Sequence, residues 1–317
     1  MKFDQPIPVR YLAERFQAQI IGDDRLFAYG INEIHKVEPG DIAFSDLKKY
    51  FDKTLKSAAT VLLLNEVAPC PPGKVILVVA QPYAVYDALV REQRPFEPLT
   101  NLISHRAIIH PSAIIEPNVF IAPNVRIGAH CYIQGNAYIG EHTMIGDHVQ
   151  IGASSVLGTD AFYYKKQTEG TFEKWRSGGR LLIEDHVDIG AACTINKGVS
   201  GDTIIGRGSK LDCQIHIGHG AVIGENCLFA AQVGIGGKTI VEDNVVLYGQ
   251  VGIAQNLVIG KGAIVLAKSG VSKSLEGGKA YFGIPAEEMR GKYRELAALR
   301  QLPDLLREMG TRRKEEG

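Results

Sequence analysis

The sequence of 317 residues has no excess of either charge, no long hydrophobic run and no paired cysteines. Its 35 basic and 35 acidic residues cancel, which excludes the broad positive field that general nucleic-acid binding requires. No stretch approaches the ~18 apolar residues of a membrane span, and the opening MKFDQPIPVR lacks the apolar core of a signal peptide. We therefore expect a cytoplasmic protein without membrane contact. The five cysteines form no CxxC pair, which argues against a disulfide framework or a zinc cluster.

Glycine is abundant instead, with 35 residues, and it accompanies a repeat of six. Aliphatic residues recur at every sixth position over 109–157, resume over 183–195, slip by four residues, and continue over 205–271 with one aromatic substitute. A helix repeats every 3.6 residues and a strand every 2, so neither explains this spacing. A parallel β-helix with three hexads per coil does. The 24 positions predict about eight coils.

Register within the hexad separates core residues from corner residues. The second inward position holds small or apolar side chains, so Cys131, Cys193 and Cys227 are predicted to be inert core thiols. A glycine often follows the aliphatic residue, where a side chain would crowd the backbone. The histidines three residues after an aliphatic position are predicted to be solvated corner residues: His130, His142, His148 and His186.

The repeat divides the chain into three parts. Residues 1–100 lack it and predict a small α/β domain, with helices over 9–18 and 82–93 and strands over 41–44, 60–64 and 74–79. Residues 101–285 predict the β-helix, interrupted by an insertion at 158–182 that carries the sole tryptophan and is long enough to be functional. Residues 286–317 predict a helical tail, placed to cover the last coil.

Chemistry-bearing residues are few. His219 lies between two glycines at a corner, two residues after Ile217, where an imidazole can face a neighbouring chain. His216 and His219 also suggest zinc ligands, but residues half a hexad apart point in different directions, so we expect no metal site. No nucleophile motif is present.

Four segments in fixed order resemble one family. They are Gly40-Asp41-Ile42-Ala43-Phe44 with Lys49-Tyr50, then Gly158-Thr159-Asp160-Ala161-Phe162, then Asp188-Ile189-Gly190-Ala191 with Thr194-Ile195-Asn196-Lys197-Gly198, and finally the stretch from Asp212 to His219. This set is similar to the UDP-3-O-(3-hydroxyacyl)glucosamine N-acyltransferases of lipid A biosynthesis, and the similarity extends over nearly the whole chain.

The resemblance implies a fold and a reaction. The fold is a left-handed parallel β-helix that assembles as a homotrimer, with active sites between adjacent chains. The reaction transfers a 3-hydroxyacyl group from acyl carrier protein to the 2-amine of the UDP-amino sugar, and the phosphopantetheine arm of the carrier delivers the group without any further cofactor.

Site residues follow from the same resemblance. His219 matches the general base and Gly237 the glycine whose N–H faces the thioester oxygen. Phe44 and Tyr50 match the pair that holds uracil, with packing in the small domain as their alternative role. Further substrate contacts are expected from Phe162, Asp212, His216 and Asn256. The basic tail is a candidate dock for the acidic carrier, or else a solvated helix face.

Several positions depart from the family pattern. Asn196-Lys197 replaces Asp-Arg, Leu47 and Cys213 each replace an asparagine, Asn256 replaces a histidine, and Ala161-Phe162-Tyr163-Tyr164 replaces Gly-Phe-Gly-Phe. The chain is therefore interpreted as a divergent member or paralogue. Two alternatives stay open: a hexapeptide acyltransferase acting on another nucleotide amino sugar with a carrier-protein or coenzyme A donor, and a non-catalytic trimeric binding or scaffold protein. The acyl chain length is not predicted.

Overall fold

The N-terminal part of the molecule is a mixed sheet flanked by helices. The structure, a computed structural model, describes residues 1–167 and 169–315, with side chains to residue 307. The elements are β1 (Lys2–Pro8), α1 (Val9–Arg15), β2 (Gln19–Gly22), β3 (Phe27–Ile31), β4 (Asp41–Ser45), a 3₁₀ turn (Lys48–Tyr50), α2 (Phe51–Lys56), β5 (Val61–Leu64), β6 (Val75–Val78) and α3 (Pro82–Gln93).

The sheet order is β1-β3-β4-β5-β6-β2, parallel from β3 to β6, with an antiparallel strand at each edge. The buried central strands β5 and β6 are continuous apolar runs, as parallel strands covered on both faces require. Strands β1 to β3 and helix α2 were not among the predicted elements, because their exposed, mixed sequences show little periodicity.

The rest of the chain is a parallel β-helix, as the repeat predicts. Its strands and the elements inserted or appended are β7 (Ile108–Ile109), β8 (Ile114–Ile115), β9 (Phe120–Ile121), β10 (Arg126–Ile127), β11 (Tyr132–Ile133), β12 (Tyr138–Ile139), β13 (Met144–Ile145), β14 (Gln150–Ile151), β15 (Val156–Thr159), β16 (Tyr164–Lys166), β17 (Phe172–Lys174), β18 (Arg180–Ile183), β19 (Asp188–Ile189), β20 (Thr194–Asn196), β21 (Asp202–Ile205), β22 (Lys210–Leu211), β23 (His216–Ile217), β24 (Val222–Ile223), β25 (Leu228–Phe229), β26 (Gly234–Ile235), β27 (Ile240–Val241), β28 (Val246–Leu247), β29 (Gly252–Ile253), β30 (Val258–Ile259), β31 (Ile264–Val265), β32 (Gly270–Val271), β33 (Ala280–Phe282), β34 (Glu287–Glu288) and α4 (Met289–Glu315).

These strands form three parallel faces. The first face contains β7, β10, β13, β18, β21, β24, β27 and β30, the second starts at β8, and the third contains β9, β12, β15, β20, β23, β26, β29 and β32. Each of the 24 repeat positions lies in its own strand, and equivalent residues stack directly, as Ile217 does between Ile195 and Ile235. Cys131, Cys193 and Cys227 are buried, which confirms their predicted place in the core.

Corners explain the polar and glycine positions of the hexad. The third residue after the aliphatic position has a left-handed backbone, for example Lys238 with φ 62° and Asn256 with φ 60°. The glycine after the aliphatic residue answers a different constraint: a Cβ on Gly218 would lie 2.7 Å from the backbone nitrogen of Gly237 in the next coil. Close stacking of coils, and not a positive φ, therefore accounts for that glycine.

The corner histidines divide into two groups. His130, His148 and His186 are exposed and stack with ring centroids 4.9 Å apart, as their predicted solvation requires. His142 corrects the prediction: it is half-buried beside the small domain, with Nε2 3.3 Å from the side-chain nitrogen of Asn124. Burial, and next the charge of Arg94, lower the pKa of His142 to about 4.

This burial makes stability depend on pH. Since the pKa of His142 in the folded chain lies below the ordinary 6.5, the unfolded chain binds a proton that the folded chain does not between these two values, and stability falls as the pH falls through that window. We expect the free energy of unfolding to fall by about 2 kcal/mol between pH 7 and pH 5 because of this residue. His142→Asn, which tolerates the same left-handed φ, should lose less over that range in urea unfolding than wild type. His148→Asn is the control, and equal pH dependence of all three proteins would contradict the assignment.

The insertion contains regular strands, and the tail covers less of the last coil than predicted. The insertion forms an antiparallel hairpin of β16 and β17 that packs against the small domain.

The tail begins with strand β34 and continues as α4 through Pro303. Over the residues of α4 whose side chains are described, its start packs on the last coil, where the ring centroids of Tyr293 and Phe282 are 5.8 Å apart, whereas Leu302 and Leu306 are exposed. The expectation that it covers the coil is wrong for those residues. Among the described residues, no helix has the length and apolarity to span a bilayer.

Candidate active site

A cavity of about 460 Å³ lies on the third face, against the corner that follows β23. Its floor is formed by Gly234 and Gly252, which occupy paired outward positions of β26 and β29. A Cβ on either glycine would meet no atom within 4 Å, so the absence of side chains leaves the floor flat and open. Phe162 of the insertion overhangs this floor and is 82% exposed. The cavity is thus a shallow apolar groove suited to a flexible chain.

His219 forms one wall of this cavity. Its corner is fixed by the backbone, since the Lys238 N–H donates to the His219 carbonyl at 2.8 Å and the Gly220 N–H donates to the Thr203 hydroxyl at 2.8 Å. The imidazole is 8% exposed and meets the ring of Tyr163 edge-on, with centroids 5.2 Å apart. Fixed backbone and packed ring together hold the imidazole in one orientation.

Gly237 lies directly beneath the imidazole. A Cβ at this position would lie 2.8 Å from Nε2 of His219 and 3.1 Å from two ring carbons. The N–H of Gly237 donates to no acceptor within the described part of the chain, although its carbonyl accepts from Asn256 at 3.0 Å. Nε2 and a free backbone N–H are therefore neighbours on the cavity wall, the arrangement that a base and an oxyanion donor need.

Adding a methyl group at Gly237 should displace the imidazole. Because contacts below about 3 Å force a shift, and a misplacement of about 1 Å can cost about 100-fold in rate, we expect Gly237→Ala to lower kcat by about that factor. The control is Gly249→Ala, at the same place in its hexad but away from the cavity, where a Cβ meets only the Ala231 carbonyl at 3.4 Å. Steady-state kinetics of both variants tests this, and equal activity of the two would contradict it.

A segment of the small domain closes the far side of this corner. Nζ of Lys36 donates to the carbonyls of Asp202 at 2.9 Å and Gly220 at 3.3 Å, and Oε1 of Glu33 pairs with Nζ of Lys238 at 2.6 Å. Lys238 also lies over the ring of Tyr163, 5.0 Å from its centroid. The small domain, the insertion and the β-helix thus meet around His219.

These neighbours set the charge of the imidazole. Burial lowers the pKa of His219; Glu33 acts in the opposite direction, and Lys238 and Lys36 add to the lowering. Burial also lowers the pKa of Lys238, but Glu33 and then Tyr163 together outweigh that and leave the pKa raised. With a lowered pKa, His219 is neutral at pH 7 and free to accept a proton.

Two other predicted site residues join His219 and Gly237 at the cavity. Phe162 overhangs it, as described, and His216 lines it, with Nδ1 2.8 Å from the Thr194 hydroxyl oxygen. Burial lowers the pKa of His216. Asp212 is not brought there: it is exposed one corner earlier, where its carboxylate accepts from the Cys213 N–H at 2.7 Å. Asn256 lies in the corner stacked on Gly237, adjacent to the cavity-lining Gln255.

Phe44 and Tyr50, the predicted uracil-binding pair, contact different neighbours. Phe44 packs in an aromatic cluster, with ring centroids 4.7 Å from Tyr86 and 5.6 Å from Trp175. Tyr50 is 48% exposed beside Lys49, and its ring is not among the ring contacts described for Phe44. Phe44 thus has the packing role that the sequence left open, and joint binding of a base stays a prediction.

Asn196 and Lys197, which replace Asp-Arg of the family pattern, have different contacts. Asn196 lines the cavity and donates to the Thr159 hydroxyl at 3.0 Å. Lys197 turns away from the cavity: its side chain is 3% exposed and its Nζ lies 2.8 Å from Glu141 and 3.1 Å from Asp160. This lysine stabilises a buried charge cluster beneath the insertion.

Sequence reasoning did not identify Glu33, Tyr163 or Lys238 as site residues. In the sequence, Tyr163 was noted only because it departs from the family pattern. The one feature that marks Lys238 is its place at a left-handed corner of the hexad. Glu33 approaches through domain packing, which no local pattern encodes. Within the described residues, no group of three or more histidine, cysteine or acidic side chains is arranged to hold a metal ion.

A family model matches two segments of the β-helix. The model for the bacterial transferase hexapeptide (six repeats) family matches residues 124–159 and 202–237, and the second match contains both His219 and Gly237. Within these two segments, the β-helix is similar to bacterial transferase hexapeptide repeats.

Curated relatives sharpen the comparison. The UDP-3-O-acylglucosamine N-acyltransferase of Helicobacter hepaticus is 44% identical over 70 residues, 22% of each chain. The UDP-3-O-acylglucosamine N-acyltransferase 2 of Gloeobacter violaceus is 43% identical over 67 residues, 21% of this chain and 18% of that protein. The aligned segments thus span about a fifth of the length of these relatives. Over such a segment, the resemblance to these N-acyltransferases is confirmed.

A solved structure gives a broader but looser match. The UDP-N-acetylglucosamine O-acyltransferase of Moraxella catarrhalis is 30% identical, covers 62% of this chain and 78% of its own, and superposes with a TM-score of 0.48.

Proposed function

We propose that this protein is an N-acyltransferase of lipid A biosynthesis. It transfers a 3-hydroxyacyl group from the phosphopantetheine thioester of acyl carrier protein to the 2-amine of UDP-3-O-(3-hydroxyacyl)glucosamine. The observation that carries the proposal is that Nε2 of His219 and the free N–H of Gly237 lie beside each other on the wall of a glycine-floored cavity. The names of the curated relatives support the choice of acceptor.

The reaction uses these two groups in sequence. The amine nitrogen attacks the thioester carbonyl, and His219 takes the proton that the nitrogen loses. The carbonyl oxygen becomes an oxyanion, which the N–H of Gly237 stabilises. The intermediate collapses with cleavage of the carbon–sulfur bond, and the imidazolium returns its proton to the departing thiolate. The products are an amide and a free thiol.

The cavity also suits the acyl donor and a second chain. Its floor, Gly234 and Gly252, offers a smooth surface for an alkyl chain, and its lining comes from one β-helix face, its corners and Phe162. A neighbouring copy in a homotrimer would close the open side, which is the assembly we propose.

The carrier protein is proposed to dock on the basic helix α4. The described part of α4 carries Arg290, Arg294 and Arg300 on exposed positions, while Lys292 is paired with Glu295 at 2.9 Å. The side chains of Arg312, Arg313 and Lys314, which the sequence added to this surface, lie outside the described residues. A positive helix complements an acidic carrier.

Release of free thiol from the donor tests the proposal and its alternatives. The protein is mixed with 3-hydroxyacyl carrier protein or 3-hydroxyacyl coenzyme A, with or without the acceptor sugar, and thiol is followed with a chromogenic reagent. We expect release that requires both carrier protein and acceptor. A preference for coenzyme A would instead support another hexapeptide acyltransferase. Ligand binding without release from either donor would support the scaffold alternative and contradict the proposal.

A further inference from the structure

Two buried polar atoms without hydrogen-bond partners belong to residues that meet at the His219 corner. They are Nδ1 of His219 and Oε2 of Glu33, both closed to solvent. More than about 90% of buried polar groups in proteins are paired, because an unpaired buried group loses its hydrogen bonds to water without replacement. A donor and an acceptor left open at one corner are complementary, and such a pair calls for a functional explanation.

Lys238 connects the two residues. Its backbone N–H donates to the His219 carbonyl at 2.8 Å, and its ammonium holds Oε1 of Glu33 at 2.6 Å. The carboxylate of Glu33, whose side chain is 10% exposed, is thereby anchored by one oxygen and leaves the other oxygen free. The anchor fixes the carboxylate beside the corner without using its second acceptor.

The tautomer of the imidazole determines which partner is missing. For Nε2, which faces Gly237, to accept a proton from an amine, the ring hydrogen must be on Nδ1. A buried Nδ1–H requires an acceptor. Lys36 and Lys238 are cations that only donate, and Tyr163 meets the imidazole with its ring, whereas Glu33 is an anion with an unused oxygen.

We propose that Glu33 is the positioning residue for His219, with one water bridging the Nδ1–H of the imidazole and Oε2 of the carboxylate. The inference rests on the proposed function of His219 as base. Glu33 fixes the reactive tautomer and stabilises the imidazolium that forms when the amine loses its proton. Because Glu33 belongs to the small domain, docking of that domain on the β-helix assembles the base, and the domain has a catalytic role beyond binding a nucleotide.

The effect on the imidazole has a definite sign. Glu33 opposes burial, Lys238 and Lys36, all three of which lower the pKa of His219. Removing its charge while keeping its shape, as Glu33→Gln does, should therefore lower that pKa further. The matched control is Glu38→Gln, on the same segment, whose exposed carboxylate pairs with Lys2 at 2.8 Å.

Histidine NMR tests this without relying on turnover. The pH titration and nitrogen shifts of His219 are recorded in the full-length protein labelled at histidine, with the resonance assigned by its loss in His219→Ala. We expect the Nδ1–H tautomer in wild type and in Glu38→Gln, and a lower pKa in Glu33→Gln. An Nε2–H tautomer in wild type, or the same pKa in wild type and Glu33→Gln, would overturn the proposal.

Kinetics separates this inference from the proposed function. In an active protein, Glu33→Gln should lower kcat about tenfold, as an about 1.4 kcal/mol loss of transition-state stabilisation does, with little change in KM. The acid limb of its pH profile should move to lower pH. Unchanged kcat in an active protein overturns the role of Glu33 alone, whereas a wild type without turnover overturns the proposed function and leaves the NMR result to decide on Glu33.

Discussion

His219→Ala is expected to lower kcat by about 10²–10⁴-fold, the usual contribution of a positioned general base. The reason is that no other described group near the free N–H of Gly237 combines burial, neutrality at pH 7 and access to the cavity. His216 also lines the cavity, but its Nδ1 is engaged with the Thr194 hydroxyl oxygen at 2.8 Å. Single-turnover kinetics measures the effect on the chemical step.

His186→Ala is the control for that loss. His186 is an exposed corner residue of the same β-helix that stacks on His148, 4.9 Å between centroids, and it does not line the cavity. It should retain wild-type kcat, and both variants should keep the secondary structure of wild type by circular dichroism. Activity of His219→Ala equal to that of His186→Ala would remove His219 from the mechanism.

Lys197→Met is expected to destabilise the fold by about 3 kcal/mol, as removal of one partner from a buried ion pair does. Lys197 neutralises Glu141 and Asp160, both of which also contact Arg176. Burial raises the pKa of each carboxyl, but the charges of Lys197 and Arg176 together outweigh that and hold both pKa values below their usual range. Methionine keeps the length of the side chain but leaves the carboxylates one cation short.

The loss should have a characteristic pH dependence. Since the folded-state pKa values of Glu141 and Asp160 are lowered, their stabilisation is present above the ordinary carboxyl pKa and is lost as the pH falls through the folded values. The difference between wild type and Lys197→Met in urea unfolding should thus shrink from pH 7 toward acid. Lys261→Met, which removes an exposed pair with Asp243 at 3.2 Å, should have a much smaller effect, because water screens that pair. Equal effects at the two lysines would contradict a buried cluster.

The hexad was sufficient to predict most of the fold. Ile217 and its 23 equivalents each specify an inward position, and the stacking of like residues follows because any other register would expose the core. The small domain was less predictable, since β1 to β3 lack periodicity and owe their places to pairing with distant strands. Helix α4 continues past Pro303 and exposes Leu302 and Leu306. Its composition predicts a helix but does not reveal what that helix packs against.

The candidate site was predictable only along the β-helix. His219 and Gly237 are one coil apart, so the repeat itself brings them together. Glu33 and Tyr163 reach the same corner through docking of the small domain and folding of the insertion, which are tertiary events. His142 was misplaced for the same reason: its hexad position is a solvated corner, and only the neighbouring small domain buries it.

Mass spectrometry of the sugar product tests the central claim most directly. Wild type is incubated with 3-hydroxyacyl carrier protein and UDP-3-O-(3-hydroxyacyl)glucosamine, with a parallel reaction on the same sugar blocked at its amine by acetylation. We expect one added acyl group, in amide linkage, on the free amine and none on the blocked sugar. No acylated sugar from a soluble, folded protein, or equal acylation of the blocked sugar, would contradict acyl transfer to the amine at the His219 cavity.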